Sequence, residues 1–147
     1  MSRRQDIIDS LKTLFGNISI ANGYTFNIGS DVFEWRTTPL PDSKTKALNF
    51  WDDEETCEEE GNLLWHDLHI KVNLLCNEGA DKAATLRARM QDVLTAFKGI
   101  LEDTDVIDTV KEAYYVGSTM DVEHADKKET AALMEFVIRY ITPLWEI

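Results

Sequence analysis

Basic residues are the first shortage: 15 Lys and Arg stand against 27 Asp and Glu, for a formal net charge of −12. Gripping a phosphate backbone takes clustered cations that displace counterions, so a direct clamp on nucleic acid is disfavoured. The plain reading of the acid excess is solubility, and it also suits a surface that nucleic acid passes without sticking. Cysteine is scarce as well. Cys57 and Cys76 set no disulfide framework and lack the paired spacing of a zinc or redox motif, so both thiols are expected free in a reducing cytoplasm. No apolar run approaches membrane-spanning length, and the charged Met1–Ser10 stretch has no apolar core of a secretory signal. The seven glycines are scattered, without GxxxxGK[ST], GxGxxG or the G-x-S-x-G elbow. Expected from these gaps are no enzyme activity, no cofactor and no membrane.

What is present is a pattern of elements. At 147 residues the chain is one domain, long enough to bury roughly 68–70% of its unfolded surface. Ser2 is placed to cap a helix running to Phe15, with Ile7, Leu11, Leu14, Phe15 and Ile18 on one face and Gly16-Asn17 as a left-handed stop. Arg3 and Arg4 sit at the positive end of that helix dipole, where they add little to its stability. They are therefore candidates for a partner contact, with ordinary solvation as the plainer alternative. Tyr24–Ile28 and Val32–Trp35 read as a small hairpin turned by Gly29-Ser30-Asp31. Pro39 and Pro41 then break regular structure, and Ala47–Trp51 is a short apolar strand.

From Asp52 to Glu60, seven of nine residues are acids: Asp52, Asp53, Glu54, Glu55, Glu58, Glu59 and Glu60. Without a periodic apolar partner, the run reads as a solvated, self-repelling loop, mobile in the free chain. It is also the candidate assembly surface. A calcium site is the sharper alternative, but the spaced Asp/Asn pattern and mid-loop glycine of an EF-hand are missing.

The second half is more regular. Leu63–Cys76 alternates, with Leu64, His66, Leu68, Ile70, Val72 and Leu74 on one face. An amphipathic helix over Asp81–Leu101 follows, with Ala84, Leu86, Met90, Val93, Leu94, Phe97 and Leu101 as its buried stripe. Two further strands lie near 112–124 and 131–142, joined by a loop at His124–Lys128. Tyr114, Val116, Met120 and Val122 are expected on one face of the first. Ala132, Met134, Phe136, Ile138 and Tyr140 are expected on one face of the second. The fold class is then α+β: a four-stranded antiparallel sheet flanked by two main helices, with a small additional hairpin. His66-x-x-His69 tempts a metal reading, but residues three apart in a strand point to opposite faces, so no metal is expected between them.

Over Pro41–Asn77 the chain resembles the tail terminator proteins of long-tailed bacteriophages, the family typified by the phage lambda minor tail protein U. The resemblance centres on the strand Trp65-His66-Asp67-Leu68-His69-Ile70-Lys71-Val72, close to W-x-x-x-L-H-I-x-V with the Trp one place nearer. Ala113-Tyr114-Tyr115-Val116-Gly117 and Leu133–Ile141 follow in the same order after a helix. It implies a virion tail protein, assembled in the host bacterial cytoplasm. Such a protein forms a ring, a hexamer in the family, on the finished tail tube. The implied partners are further copies of itself, the tail tube protein and a head-completion or connector protein, with DNA passing through the channel unbound. The alternatives are another neck or tail-completion protein, and an acidic DNA-mimic binding protein with its carboxylates on one folded face.

Overall fold

The computed structural model describes residues 2–38, 45–76, 82–122 and 130–147. Asp81 at the expected start of the second helix, Pro39, Pro41 and the His124–Lys128 loop lie outside those residues. Helix α1 spans Arg3–Gly16 and α2 spans Lys82–Lys98, extended by a 3-10 turn at Gly99–Leu101. The strands are β1 (Val32–Glu34), β2 (Lys46–Glu60), β3 (Leu63–Cys76), β4 (Val110–Val122) and β5 (Thr130–Pro143), in one sheet of order β1-β2-β3-β5-β4. The β1–β2 pair is parallel and the rest are antiparallel. Strands β3 and β4, joined through α2, form a split βαβ unit with β5 in the gap.

The expected four-stranded antiparallel sheet with a separate hairpin is therefore corrected to a five-stranded mixed sheet. The hairpin fails because its first half never enters a ladder. The Thr25 amide and hydroxyl both donate to the carboxylate of Asp92 on α2, and the Ile28 amide donates to the Ile18 carbonyl. Phe26 and Ile28 are buried as packed loop residues. Only Val32–Glu34 is a strand, and it joins the main sheet against Leu48–Phe50.

The acidic run is corrected too. It is no loop but the outer half of β2, paired residue by residue with β3 as far as Glu60 and Leu63. The turn is only Gly61-Asn62, with Gly61 at φ 64°. Glycine first at a left-handed φ is what a two-residue type II′ hairpin turn favours.

Both helices lie on one face of the sheet, where alternation delivers the core. Leu48 and Phe50, then Leu68, Ile70, Val72 and Leu74, then Met134, Phe136, Ile138 and Tyr140 are all buried there. Phe15 of α1 meets Phe50 edge-on at 5.3 Å, and Phe97 of α2 stacks on Phe136 at 4.1 Å. Ser2 caps α1 as expected, accepting from the Gln5 amide at 3.1 Å, but Asn17 ends it with φ −87°, in ordinary helical space. The stripe of α2 is rotated from the expected one. Arg89 is buried with its guanidinium 4.8 Å above Phe26, whereas Leu101 is exposed. The shared face expected for Tyr114, Val116 and Met120 is broken by the irregularity at Tyr115/Gly117, since an inserted residue shifts the alternation.

Candidate functional site

The placement of the seven acids follows from strand alternation, with its phase set by one bulge. Asp52 pairs with Ile70 and Glu54 with His69, leaving Asp53 as the extra residue. Past the bulge, Glu55, Cys57 and Glu59 stand opposite Leu68, His66 and Leu64, on the helix-bearing face. Glu54, Glu58 and Glu60 stand opposite His69, Trp65 and Leu63, on the other face. Alternation thus divides the acids between the two sides of the sheet, and the inserted residue decides which of them take which side.

Three of the acids are anchored. Asp52 accepts from Arg4 Nε at 2.7 Å and from the Trp35 indole at 2.6 Å. Asp53 pairs with Lys71 Nζ at 3.0 Å. Glu55 lies 3.7 Å from Arg4 Nη1 and 3.3 Å from His66 Nδ1, and accepts the Tyr140 hydroxyl proton. Glu54, Glu58, Glu59 and Glu60 are exposed. Arg4, singled out for a partner contact, therefore holds two acids of its own chain, because the α1 N-terminus rests over the β2 bulge. Arg3 is exposed, with its backbone amide on the Ile147 carbonyl at 2.8 Å.

Beneath the acidic half of β2 lies a polar cluster that the linear sequence did not reveal. His66 is fully buried and stacks on Tyr140 at 4.3 Å with the rings 9° apart. Its Nε2 meets Thr142 Oγ1 at 2.8 Å, and its Nδ1 lies 3.2 Å from Cys57 Sγ. Burial first, then the bond to Glu55, pushes the Tyr140 phenol well above its ordinary range. Burial and the nearby Glu55 charge likewise push the Cys57 thiol up. The available signal was the dipeptide Gly61-Asn62: counted as a two-residue turn, it sets Cys57 across from His66.

His69 lies on the opposite face from His66, between Glu54 and Val137. That uncovered face also carries Asp67, held by Arg139 at 2.8 and 3.1 Å. The Arg139 bond keeps the Asp67 carboxyl below its usual range. An open groove of about 370 Å³ runs past Thr56, Glu58, Trp65, Asp67 and Arg139. Neither His66 nor His69 lines it. At the far edge, β4 exposes Tyr114, Tyr115 and Val116. On the near edge β1 covers only Leu48–Phe50, so β2 has no strand partner on that side from Asp52 onward among the described residues.

No protein-family model and no curated protein matches this sequence. The solved structures give a fold. A chain described as "Virion of native gene transfer agent (GTA) particle" superposes with a TM-score of 0.57 at 14% identity, over 96% of this chain and 92% of that one. The two share the whole architecture, not a fragment of it.

Proposed function

We propose that this chain is a structural subunit of a phage or phage-derived virion, and that it caps the tail tube as a ring. In that role it stops tube growth and offers the surface that receives the head. The observation that carries the reading is the fold match to a virion chain over nearly the full length of both. The resemblance around Trp65–Val72 narrows it to the tail terminator. Two surface features support assembly over chemistry. Among the described residues, one face of the sheet has no helical cover and the acidic edge of β2 has no strand partner, which invites a neighbour while its charge blocks indiscriminate stacking. A ring of heterologous contacts covers such edges by closing on itself.

With a net charge of −12, subunits repel one another, and salt screens that repulsion over a Debye length of about 8–10 Å. Higher ionic strength is therefore expected to favour the ring. An acidic lumen would let DNA slide through unbound. The DNA-mimic alternative loses its main support, because pairing in a strand sends alternate carboxylates to opposite faces. Another neck protein of this topology is the remaining reading. Light scattering of the protein at low and high salt, alone and with purified tail tubes, separates the cases. A mass that stays monomeric at all salts, with no tube capping, sinks the proposal. Binding to head connectors but never to tubes selects the other neck protein.

A further inference from the structure

We propose that Glu55, Cys57 and His66 form a three-ligand site for a divalent cation of the zinc class, with water in the fourth position. His66 and His69 face apart and cannot share an ion. The β2–β3 hairpin supplies different partners. One donor atom from each of the three residues lies within 4.8 Å of the others.

The geometry is close to that of a metal centre. The three separations are 3.2 Å for Sγ to Nδ1, 3.3 Å for Nδ1 to Oε2 and 3.8 Å for Sγ to Oε2. Zinc bonds of about 2.3 Å to sulfur and 2.0–2.2 Å to nitrogen and oxygen give tetrahedral edges of about 3.3–3.6 Å. Closing the triangle onto an ion needs shifts of a few tenths of an ångström, within reach of a Cys and a Glu on a hairpin.

The proton count points the same way. Thr142 Oγ1 lies 2.9 Å from both the Pro143 and the Glu146 carbonyl oxygens, which only accept. The single hydroxyl proton therefore goes to a carbonyl, and Oγ1 accepts from His66 Nε2–H. In the neutral ring Nδ1 then presents a lone pair to Glu55 Oε2 and Cys57 Sγ. One thiol proton cannot serve both Nδ1 and the carboxylate, so the contact is filled either by a second ring proton or by an ion. A cation serves all three.

Outer partners are in place as well. Thr142 fixes the imidazole, and the Tyr140 hydroxyl holds the other Glu55 oxygen, as supporting groups do around ligating side chains. Charge balances too: a dication offsets the Cys57 thiolate and the Glu55 carboxylate, beside an Arg4–Asp52 pair already neutral. Cys57 is exposed, which leaves an entry path. Binding replaces the S–H bond by a metal–sulfur bond and releases that proton to solvent, so affinity rises with pH. Imidazole with thiolate and carboxylate suits zinc or cobalt, and disfavours calcium and magnesium, which take oxygen donors.

The test is cobalt(II) and zinc(II) titration of the full chain, with removal of excess ion and a count of what remains. Expected is one ion per chain, a near-ultraviolet thiolate-to-cobalt absorption, and its loss on addition of zinc. Cys57→Ser, at an exposed position, should fold and lose that absorption. Glu55→Gln should weaken binding, and Thr142→Val should weaken it about 10- to 100-fold. His69→Ala, on the opposite face, should bind as the parent does. No retained ion in the folded parent overturns the proposal. So does undiminished affinity in Cys57→Ser and Glu55→Gln. Circular dichroism of each variant separates lost ligation from lost folding.

Discussion

Strand β2 is two strands in one. Its inner half, Lys46–Trp51, lies under α1 and buries Ala47, Leu48 and Phe50; its outer half, Asp52–Glu60, buries none of its nine side chains. Both halves make the same antiparallel ladder with β3. Backbone pairing is thus indifferent to the change in side-chain chemistry, and β propensity follows what surrounds a residue more than the residue itself. The inner half is held by apolar burial. The outer half is held by the ladder, a tight turn and a few anchored charges, so it is the part free to carry recognition.

The largest blow to the comparison falls on the inner half. Phe50→Ala removes a fully buried ring beneath Phe15. A loss of about 3–5 kcal/mol is expected in urea unfolding, enough to unfold a marginal domain. Less than 1 kcal/mol would show that the core does not depend on this half.

Glu55→Gln is next, and sharpens the division by showing that one acid of the outer half behaves like core. It weakens the hydrogen bond from Tyr140 and the ion pair with Arg4 together, with a loss of roughly 1–3 kcal/mol. Tyr140→Phe deletes one of those bonds, for a loss of about 1 kcal/mol. Tyr140 also predicts a pH dependence. Its pKa is raised in the fold, so its stabilisation is fully present below the ordinary tyrosine value of about 10 and fades as pH rises through the folded value. Thermal melts from pH 8 to 11 should fall less steeply in Tyr140→Phe than in the parent. Equal slopes would refute the assignment.

Gly61→Ala strains the left-handed turn although a methyl group there would meet nothing within 4 Å. The expected loss is about 1–2 kcal/mol, read by urea unfolding, with the hairpin amides exchanging faster. The smallest effect on folding belongs to the exposed acids. Replacing Glu54, Glu58 and Glu59 by Gln should change stability by no more than about 0.5 kcal/mol each, while shifting the salt dependence of self-assembly. Normal folding with unchanged assembly would mark these acids as solubilising only.

What the sequence determined by itself was whatever a single period encodes. The capped amphipathic α1, the alternation of β3 with His66 and His69 on opposite faces, and the buried face of β5 were all legible, because each element's own residues state which side is apolar. The acidic run was misread because charge density argues for a loop when the partner strand is not considered. The partner was adjacent, and only pairing shows that β3 can template eight of the nine residues from Asp52 to Glu60. The Tyr24–Ile28 segment was misread for a related reason: its amides are claimed outside any ladder, that of Thr25 by Asp92, 67 residues away, and those of Tyr24 and Ile28 by the Ser19 and Ile18 carbonyls. Arg89 went inside because Phe26 and Cys76 wait there for it. Tertiary structure alone decided the parallel β1–β2 pair, the bulge that fixes which acids take which face, and the meeting of Glu55, Cys57, His66 and Tyr140. Each depends on register between distant segments, and register is set by the summed packing of both partners rather than by any local pattern.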